Sequence, residues 1–253
     1  MSKHAILGLG YTGLRILESL NDEFRITSFS RKTTVSNSKI YDFGDEESVR
    51  KFVGEYENSP FDSLIITFPL HSVPTKYLLA EAFSKVSRRK WLLGTTSIYR
   101  REGEIRESTP KNLEHERFEI EEKFLESGGK ILRLSGIYGP FRNPADWIRK
   151  GLVRKSKRQL NLCHISDITE AVRGILSDFE DKLPSELVLS DNQWHTWWEI
   201  FQFLEEKGRI SNYPEVEPDR EDAFVDSGLI RKFLPGLQTK DFWRELEKLE
   251  ESL

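Results

Sequence analysis

The sequence predicts an α/β fold built on a doubly wound, mostly parallel sheet, with a small C-terminal lobe. Short apolar runs alternate with amphipathic segments up to Leu134. Strands that alternate with helices imply right-handed crossovers and a parallel sheet. After Gly139-Pro140 the alternation weakens, and this change predicts the smaller lobe.

Apolar runs predict the strands, and apolar residues spaced three or four apart predict the helices. The predicted strands are Lys3–Leu9, Phe24–Phe29, Lys39–Phe43, Ser63–Phe68, Trp91–Gly94, Lys130–Leu134 and Leu187–Leu189. The predicted helices are Thr12–Leu20, Asp45–Tyr56, Pro74–Val86, Asn112–Ser127, Asp167–Phe179, Thr196–Lys207 and Lys240–Leu253.

Residues suited to helix N-termini mark the start of several of these helices. Acidic residues open the helix at Asp45, where the helix dipole favours negative charge. Two capping boxes, Asp167 with Glu170 and Thr196 with Glu199, mark helices of the second half.

The composition is that of a folded chain of 253 residues. The formal net charge of −4 gives no general attraction to nucleic acid. The single cysteine, Cys163, excludes an internal disulfide and suits a reducing compartment. No apolar run approaches the ~20 residues of a membrane helix, and no cluster of Cys, His and carboxylate residues has metal-binding spacing. We therefore expect a cytoplasmic protein that binds no metal, nucleic acid or membrane.

Three glycines in the segment GLGYTG have the spacing G-x-G-x-x-G, between the first predicted strand and the first predicted helix. The first glycine permits the tight turn, the second lets a pyrophosphate approach the backbone, and the third lets helix and strand pack closely. A purely structural turn is the alternative, but the position at the first βα turn favours dinucleotide binding in a Rossmann-type fold. The predicted contacting residues are Gly8, Leu9, Gly10, Tyr11, Thr12 and Gly13.

The end of the second predicted strand, ITSFSRKTT, contains no acidic residue. An acid about 20 positions beyond the loop would bind the ribose 2′-hydroxyl and select NAD. Ser30, Arg31 and Lys32 instead offer a hydroxyl and two cations, which suit a 2′-phosphate. These residues favour NADP(H) over NAD(H); the alternative is two solvated surface cations.

Six segments occur in the order found in a known family: GLGYTG, YDFGDEES, TFPL, LLGTTSIY, ILRLSGIYGPFRNP and CHISDITEAVRGIL. Over most of residues 3–190 the chain resembles the extended and atypical short-chain dehydrogenase/reductases, the NAD-dependent epimerase/dehydratase family. Its G-x-G-x-x-G loop is the form of the atypical branch. We expect one Rossmann-like domain over 1–253, in which 140–160 and 190–253 contribute a small substrate-side lobe.

The resemblance also implies positions along a bound cofactor. Asp42 and Phe43 would lie beside the adenine. The other implied positions are Thr67, Phe68 and Pro69 along the cofactor, and Ser135, Gly136 and Ile137 near the nicotinamide.

In this family a tyrosine, with a lysine four residues later, takes the proton during hydride transfer. Here Glu114 occupies the tyrosine position and Phe118 the lysine position, and no tyrosine of the chain is followed by a lysine four residues on. Thr95 matches the hydroxyl that holds the substrate oxygen, and its neighbours Thr96 and Ser97 could substitute for it. A hydroxyl that bonds the backbone at the strand end is the alternative for Thr95.

Other residues could replace the missing pair. Glu114 or His115 could act as the base, or both could lie on the solvated face of a charged helix. Tyr138 could stand near the nicotinamide, or pack against the loop after the sixth strand. His164 is interpreted as structural, and Asp167 as a helix cap.

Two further segments have alternative interpretations. IRKGLVRKSKR carries six cations between Arg149 and Arg158, which could meet a phosphorylated or nucleotide-linked substrate or form an exposed helix end and loop. The aromatic residues of WHTWWEIFQFLEE could floor a substrate pocket or belong to the core. Their spread around the helix suggests burial on several faces, including against a second copy in a homodimer.

Two functions follow from these observations. The first is an NADP(H)-dependent oxidoreductase or epimerase-like enzyme with a non-standard acid/base, acting on a sugar nucleotide or another small carbonyl or alcohol. The second is a catalytically inactive NADPH-binding protein with a regulatory or interaction role. Family resemblance favours the enzyme, and the missing tyrosine and lysine favour the inactive protein.

Overall fold

The computed structural model describes residues 2–32, 35, 37–101, 103–178, 180–218 and 221–251. The strands are β1 (Lys3–Leu7), β2 (Arg25–Ser30), β3 (Lys39–Ile40), β4 (Phe61–Ile66), β5 (Ser87–Thr95), β6 (Gly103–Ile105), β7 (Lys130–Leu134), β8 (Gly136–Tyr138), β9 (Gln159–Leu160), β10 (Leu162–His164), β11 (Glu186–Leu189), β12 (His195–Thr196) and β13 (Ala223–Val225). The helices are α1 (Tyr11–Leu20), α2 (Glu46–Tyr56), α3 (Lys76–Val86), α4 (Phe118–Glu126), α5 (Pro144–Arg149), α6 (Ile165–Ser177), α7 (Trp197–Glu206), α8 (Gly228–Phe233) and α9 (Phe242–Glu251).

The main sheet has seven strands in the order β11-β7-β5-β4-β1-β2-β3 within the described residues. The pairings of β1 with β2 and β4, of β2 with β3 and of β4 with β5 are parallel. The strand order reverses direction beside β1, which is the first strand of the chain. A doubly wound sheet of this kind places its ligand crevice outside the carboxyl ends of the strands. The predicted Rossmann-type α/β fold is confirmed.

The chain divides into two compact units, each made of several segments. Unit 1 comprises Met1–Ile98, Lys111–Arg133 and Thr169–Leu187. Unit 2 comprises Tyr99–Pro110, Leu134–Ile168 and Val188–Leu253. The ranges 140–160 and 190–253, which the sequence assigns to a lobe, both lie in unit 2.

Unit 1 has an apolar core between its sheet and its helices. Helix α1 buries Gly13, Ile16, Leu17 and Leu20, the face that its apolar spacing predicts. The ring of Phe29 in β2 meets other aromatic rings edge to face, among them Phe52 at 5.2 Å between centroids. Such contacts add to the free energy gained by burying the rings.

Unit 2 has its own apolar core, in which α5, α7 and α9 pack together. Trp197 and Phe201 of α7 are buried in this core. Phe203, also on α7, packs on Trp243 of α9 with 5.1 Å between ring centroids. The chain itself thus covers much of the aromatic helix, and Trp194 before it is 51% exposed. The homodimer stays a prediction.

Several helix starts differ from those predicted, and two of the differences involve residues considered for the site. Helix α4 begins at Phe118 rather than Asn112. The Asn112 side chain accepts a hydrogen bond from the Glu114 backbone N–H (3.1 Å), a local turn that competes with a helix. Helix α6 begins at Ile165, so Asp167 lies in its first turn and is not its N-cap. The prediction that Asp167 caps this helix was wrong.

The capping box of α7 is present as predicted, because the Thr196 hydroxyl and the Glu199 carboxylate each bond the other's backbone N–H. Phe179 and Leu253, the predicted ends of two helices, lie outside the described residues. Within the described ranges, no helix is long and apolar enough to cross a membrane, and no group of three or more His, Cys, Asp or Glu could hold a metal ion.

The close approach of α1 to β1 makes a first prediction. A Cβ atom added at Gly13 would lie 2.0 Å from the Gly8 carbonyl oxygen and 2.7 Å from Thr67 Oγ1. We therefore expect Gly13→Ala to lower the free energy of unfolding by at least about 2 kcal/mol in urea titrations, because overpacking forces the backbone apart.

Gly54 in α2 is the matched control, since a Cβ there meets nothing within 4 Å. Gly54→Ala should raise the free energy of unfolding by about 0.5–1 kcal/mol. Equal effects of the two substitutions would contradict the assigned contact.

Candidate functional site

A pocket of about 460 Å³ lies in unit 1, at the carboxyl ends of β1, β2, β3 and β4. Its position is the crevice expected for a doubly wound sheet. Ten of the predicted cofactor-binding residues line it: Gly8, Leu9, Gly10, Ser30, Arg31, Lys32, Asp42, Phe43, Phe68 and Pro69.

The glycine loop enters this pocket through a tight, side-chain-free turn. Gly8 has a φ of +94°, which L side chains rarely adopt. The Thr67 hydroxyl donates to the Gly8 carbonyl (2.6 Å) and lies near that of Leu7 (3.1 Å). Thr67 and Gly13 therefore stand behind the loop and fix its shape, while Gly8 and Gly10 line the pocket.

The start of α1 is open toward the pocket. Gly10 is the N-cap, no side chain caps the helix, and the first turn has no acidic residue. A Cβ at Gly10 would meet nothing within 4 Å. The first N–H groups of a helix carry partial positive charge and need partners. This end of α1 therefore has room and donors for an anion.

The end of β2 supplies two cations to the same pocket. Ser30 is almost buried, and its hydroxyl oxygen accepts from the Lys32 backbone N–H at 3.4 Å. Arg31 and Lys32 are exposed at the pocket wall.

Aromatic rings form another wall. Phe43 is buried and lies nearly parallel to Phe68, with 5.9 Å between centroids and 14° between planes. The Tyr41 ring is also nearly parallel to that of Phe43, with 6.2 Å between centroids and 16° between planes. The Asp42 carboxylate accepts from the Gly44 backbone N–H (2.9 Å), which holds the turn after β3. A flat apolar ring would fit against this wall.

Four residues that line the pocket were not predicted from the sequence to contact a cofactor: Tyr41, Gly44, Ser72 and Val73. Tyr41 and Gly44 flank the predicted Asp42-Phe43 pair. Ser72 and Val73 follow the segment TFPL in the loop after β4. Extending each predicted segment by a few residues would have included all four.

The other predicted cofactor residues have different surroundings. Tyr11 and Thr12 are half-buried at the start of α1 and are not among the residues lining the pocket. Ser135, Gly136 and Ile137 belong to unit 2. There the Ser135 hydroxyl donates to the Leu189 carbonyl (2.7 Å), and Gly136 and Ile137 pair with β10.

Tyr138 is fully buried within unit 2, and its hydroxyl bonds to none of the described residues. Burial raises the pKa of the Tyr138 hydroxyl far above its ordinary value, and the nearby carboxylates of Asp191 and Asp167 raise it further. A proton acceptor in catalysis requires a lowered tyrosine pKa, so this environment opposes the use of Tyr138 as a base. The Tyr138 ring packs edge to face on His164 and on Phe242 of α9.

His164, next to Tyr138, has a structural role in unit 2. Its Nδ1 accepts from the Ser166 backbone N–H at 3.3 Å, at the start of α6. Burial lowers the pKa of His164 to about 4. The imidazole therefore stays neutral near pH 7, in keeping with the interpretation from the sequence.

Thr95 lies at the carboxyl end of β5 in unit 1. Its hydroxyl donates to Ser97 Oγ and accepts from the Ser97 backbone N–H, both at 3.2 Å. Ser97 Oγ also lies 3.2 Å from Nε2 of His115, which precedes α4. His115 is thus half-buried in a loop rather than on a solvated helix face, whereas Glu114 is exposed.

No protein-family model matches this sequence, and no curated protein sequence matches it. Solved structures do have a similar fold. UDP-glucuronic acid 4-epimerase from Bacillus cereus, in complex with NAD, has a TM-score of 0.75 and 12% identity over 99% of both chains. The Bordetella bronchiseptica enzyme WbmH, in complex with NAD⁺, has a TM-score of 0.76 and 16% identity over 99% of this chain and 97% of its own.

The Bordetella bronchiseptica enzyme WbmG, in complex with NAD and UDP, has a TM-score of 0.77 and 15% identity over 98% of this chain and 93% of its own. At these identities the comparison establishes the fold. The fold implied by the resemblance to NAD-dependent epimerases and dehydratases is therefore confirmed.

The buried carboxylates near Tyr138 make a second prediction. Asp191 is 3% exposed, and burial raises its pKa to about 7, with a further contribution from Asp167. Because the folded state holds this proton more tightly than the unfolded state, stability is lost as pH rises from about 4 to about 7. We therefore compare the free energy of unfolding of Asp191→Asn with that of the wild type in urea titrations. The difference in favour of the variant should grow by about 2–3 kcal/mol from pH 5 to pH 8.

Asp22→Asn, at an exposed aspartate, controls for the change in net charge. If the difference between Asp191→Asn and the wild type is the same at both pH values, the assigned burial of a charge at Asp191 is wrong.

Proposed function

We propose that this protein binds NADP(H) in the pocket of unit 1 and uses it as an oxidoreductase or epimerase-like enzyme on a sugar nucleotide or another small carbonyl or alcohol. The observation that carries the proposal is the uncapped start of α1 at Gly10, which opens into a pocket lined by Arg31 and Lys32. The residues that line this pocket suit the pyrophosphate and the adenosine of the dinucleotide.

The pyrophosphate would lie against Gly10. Here the first backbone N–H groups and the positive end of the α1 dipole favour negative charge. The open space at the Gly10 Cα lets the phosphates approach the backbone, while the contact of Gly13 with Gly8 keeps the helix start beside the strand. Tyr11 and Thr12, in the first turn, would contribute backbone N–H groups.

The adenosine would lie along the ends of β2 and β3. Phe43 and Phe68 offer an apolar wall for the adenine, and Asp42 stands at the same edge. Arg31 and Lys32 would bind a 2′-phosphate, with the Ser30 hydroxyl beside them. The absence of an acidic residue from the end of β2 supports NADP(H) over NAD(H).

The chemistry would be hydride transfer, which the nicotinamide supplies when it is bound. Ser135, Gly136 and Ile137 are proposed to lie near the nicotinamide, and Thr95 to stand near the substrate oxygen. The similar fold of UDP-glucuronic acid 4-epimerase and of WbmG with NAD and UDP supports a sugar nucleotide as the substrate class.

A second candidate is a catalytically inactive NADPH-binding protein. One observation favours it: Tyr138 is buried with a raised pKa. The resemblance also places Glu114 and Phe118, rather than a tyrosine and a lysine, at the positions of the family's pair. The same pocket would then hold NADPH as a structural or regulatory ligand. Turnover of NADPH by the purified protein distinguishes the two.

The cofactor preference makes a third prediction, tested by calorimetric titration with NADPH and NADH. The wild type should bind NADPH more tightly. Arg31→Asp should weaken NADPH binding by about 10–100-fold, because it removes a charge-assisted contact and repels the 2′-phosphate. The new carboxylate should also strengthen NADH binding by accepting from the ribose 2′-hydroxyl.

Arg25→Asp, at the opposite end of β2, makes the same change in charge and should leave both affinities unaltered. An unchanged ratio of NADPH to NADH affinity in Arg31→Asp would remove the basis for NADP(H). Failure of both dinucleotides to bind the wild type would overturn the proposed function itself.

A further inference from the structure

Three polar side chains meet at the carboxyl end of β5, outside the residues that line the pocket. Thr95 Oγ1, Ser97 Oγ and His115 Nε2 form a hydrogen-bonded chain with 3.2 Å at each step. We name this chain of Thr95, Ser97 and His115 the β5 triad. It brings together residues from two segments of unit 1, on either side of the 99–110 segment.

The backbone sets the direction of the hydrogen bond between His115 and Ser97. His115 Nδ1 accepts from the Arg117 backbone N–H at 3.3 Å. The neutral ring then carries its proton on Nε2, and it donates that proton to Ser97 Oγ. The Thr95 hydroxyl donates to Ser97 Oγ, and Thr95 Oγ1 accepts from the Ser97 backbone N–H.

The Ser97 hydroxyl is therefore left with its proton as the one group that can still form a hydrogen bond. A serine hydroxyl has two acceptor lone pairs and one donor proton. Both lone pairs are used, by Thr95 and by His115, so the remaining proton points away from the triad. Because Ser97 is exposed, this proton reaches a ligand or solvent. Two donors behind Ser97 make its O–H a stronger donor.

The location of the β5 triad suits a reacting group. Strands β5, β4 and β1 are neighbours and parallel, so Thr95 and the glycine loop lie at the same edge of the sheet. Two strand spacings separate β5 from β1, about 10 Å. The loop after β4 bridges part of this interval: Ser72 lines the pocket, and His71 pairs with Glu116 at 3.1 Å, next to His115.

We infer that Ser97 holds the oxygen of a substrate carbonyl and that His115 is a positioning residue that aims the Ser97 proton at it. This inference rests on the proposed function, and it names a carbonyl compound as the substrate to be reduced. The residue that contacts the substrate is then Ser97 rather than Thr95. Ser97, positioned by His115, donates the proton that the family's tyrosine would donate.

The carbonyl carbon would gain the hydride that bound NADPH supplies as it is oxidised to NADP⁺, and the electron pair of the C=O π bond moves to oxygen. That oxygen takes the proton of Ser97, while the hydrogen bonds from Thr95 and His115 stabilise the negative charge on Ser97 Oγ. Water, which reaches the exposed side chain, returns a proton to Ser97. The product is an alcohol.

The first test uses no ligand. Two-bond ¹H–¹⁵N NMR spectra of protein with ¹⁵N-labelled histidine report which ring nitrogen carries the proton, and His115→Gln identifies the His115 signals. We expect the proton on Nε2 and a shift of the Nε2 signal in Ser97→Ala. A proton on Nδ1, or spectra unchanged by Ser97→Ala, overturns the inference.

The second test measures NADPH oxidation at 340 nm with 9,10-phenanthrenequinone as the carbonyl probe. Ser97→Ala should lower kcat by about 10–100-fold with little change in KM, and His115→Ala should lower it by about 10-fold. His115→Gln, whose amide can donate from a position near Nε2, should recover most of the rate. Glu116→Gln, the adjacent control that breaks the pair with His71, should keep the wild-type rate.

Calorimetry with NADPH distinguishes failure of this inference from failure of the proposed function. Each variant should bind NADPH as the wild type does. A wild type that binds NADPH but does not reduce the probe, or His115→Ala with the wild-type kcat, overturns the inference and leaves the cofactor site standing. No binding of NADPH by the wild type overturns the proposed function and, with it, the role assigned to Ser97 and His115.

Discussion

The contact between the backbones of Gly8 and Gly13 is the constraint on which the candidate site depends. There is no room for a Cβ at Gly13, because it would lie 2.0 Å from the Gly8 carbonyl oxygen. The Thr67 hydroxyl, at the end of β4, donates to that same oxygen. One carbonyl thus joins β1, α1 and β4, and it fixes the helix start at the edge of the sheet. Any larger residue at position 13 would separate the helix start from the strand.

This constraint determines where charge is placed. With the loop held from behind by Thr67, the uncapped N-terminus of α1 faces the pocket at Gly10. The end of β2 runs beside it and adds Arg31 and Lys32. The helix dipole and two cations therefore act on one volume, and their effects on a bound anion add. The aromatic wall of Phe43 and Phe68 completes a site with one charged side and one apolar side.

The glycine loop and the order of strands could be predicted because both depend on local sequence. The spacing of Gly8, Gly10 and Gly13 predicts the backbone turn, and the apolar runs predict the buried strands. The start of α4 could not be predicted from periodicity, because the Asn112 side chain competes for a backbone N–H of the expected first turn. Asp167 likewise looked like a cap, yet its carboxylate accepts from the Lys240 backbone N–H, a residue far along the chain.

The β5 triad lay beyond sequence reasoning for the same reason. Ser97 and His115 are 18 residues apart, and only the folded loops bring Oγ and Nε2 within 3.2 Å. Tyr138 shows the converse: its sequence position suggested chemistry, whereas burial raises its pKa and opposes a role as a base. Sequence spacing can predict residues that act through local backbone geometry. Side chains from different loops that act together can be identified only from the folded structure.

The most direct test of the account is NADPH binding by Gly10→Asp. Aspartate is a favourable N-cap, and Gly10 has free space and an ordinary negative φ, so the variant should be as stable as the wild type or more stable. Its carboxylate would occupy the anion position at the start of α1 and repel the pyrophosphate. We expect calorimetry to detect NADPH binding to the wild type and at least 100-fold weaker binding to this variant. Equal affinity in the two proteins would contradict it.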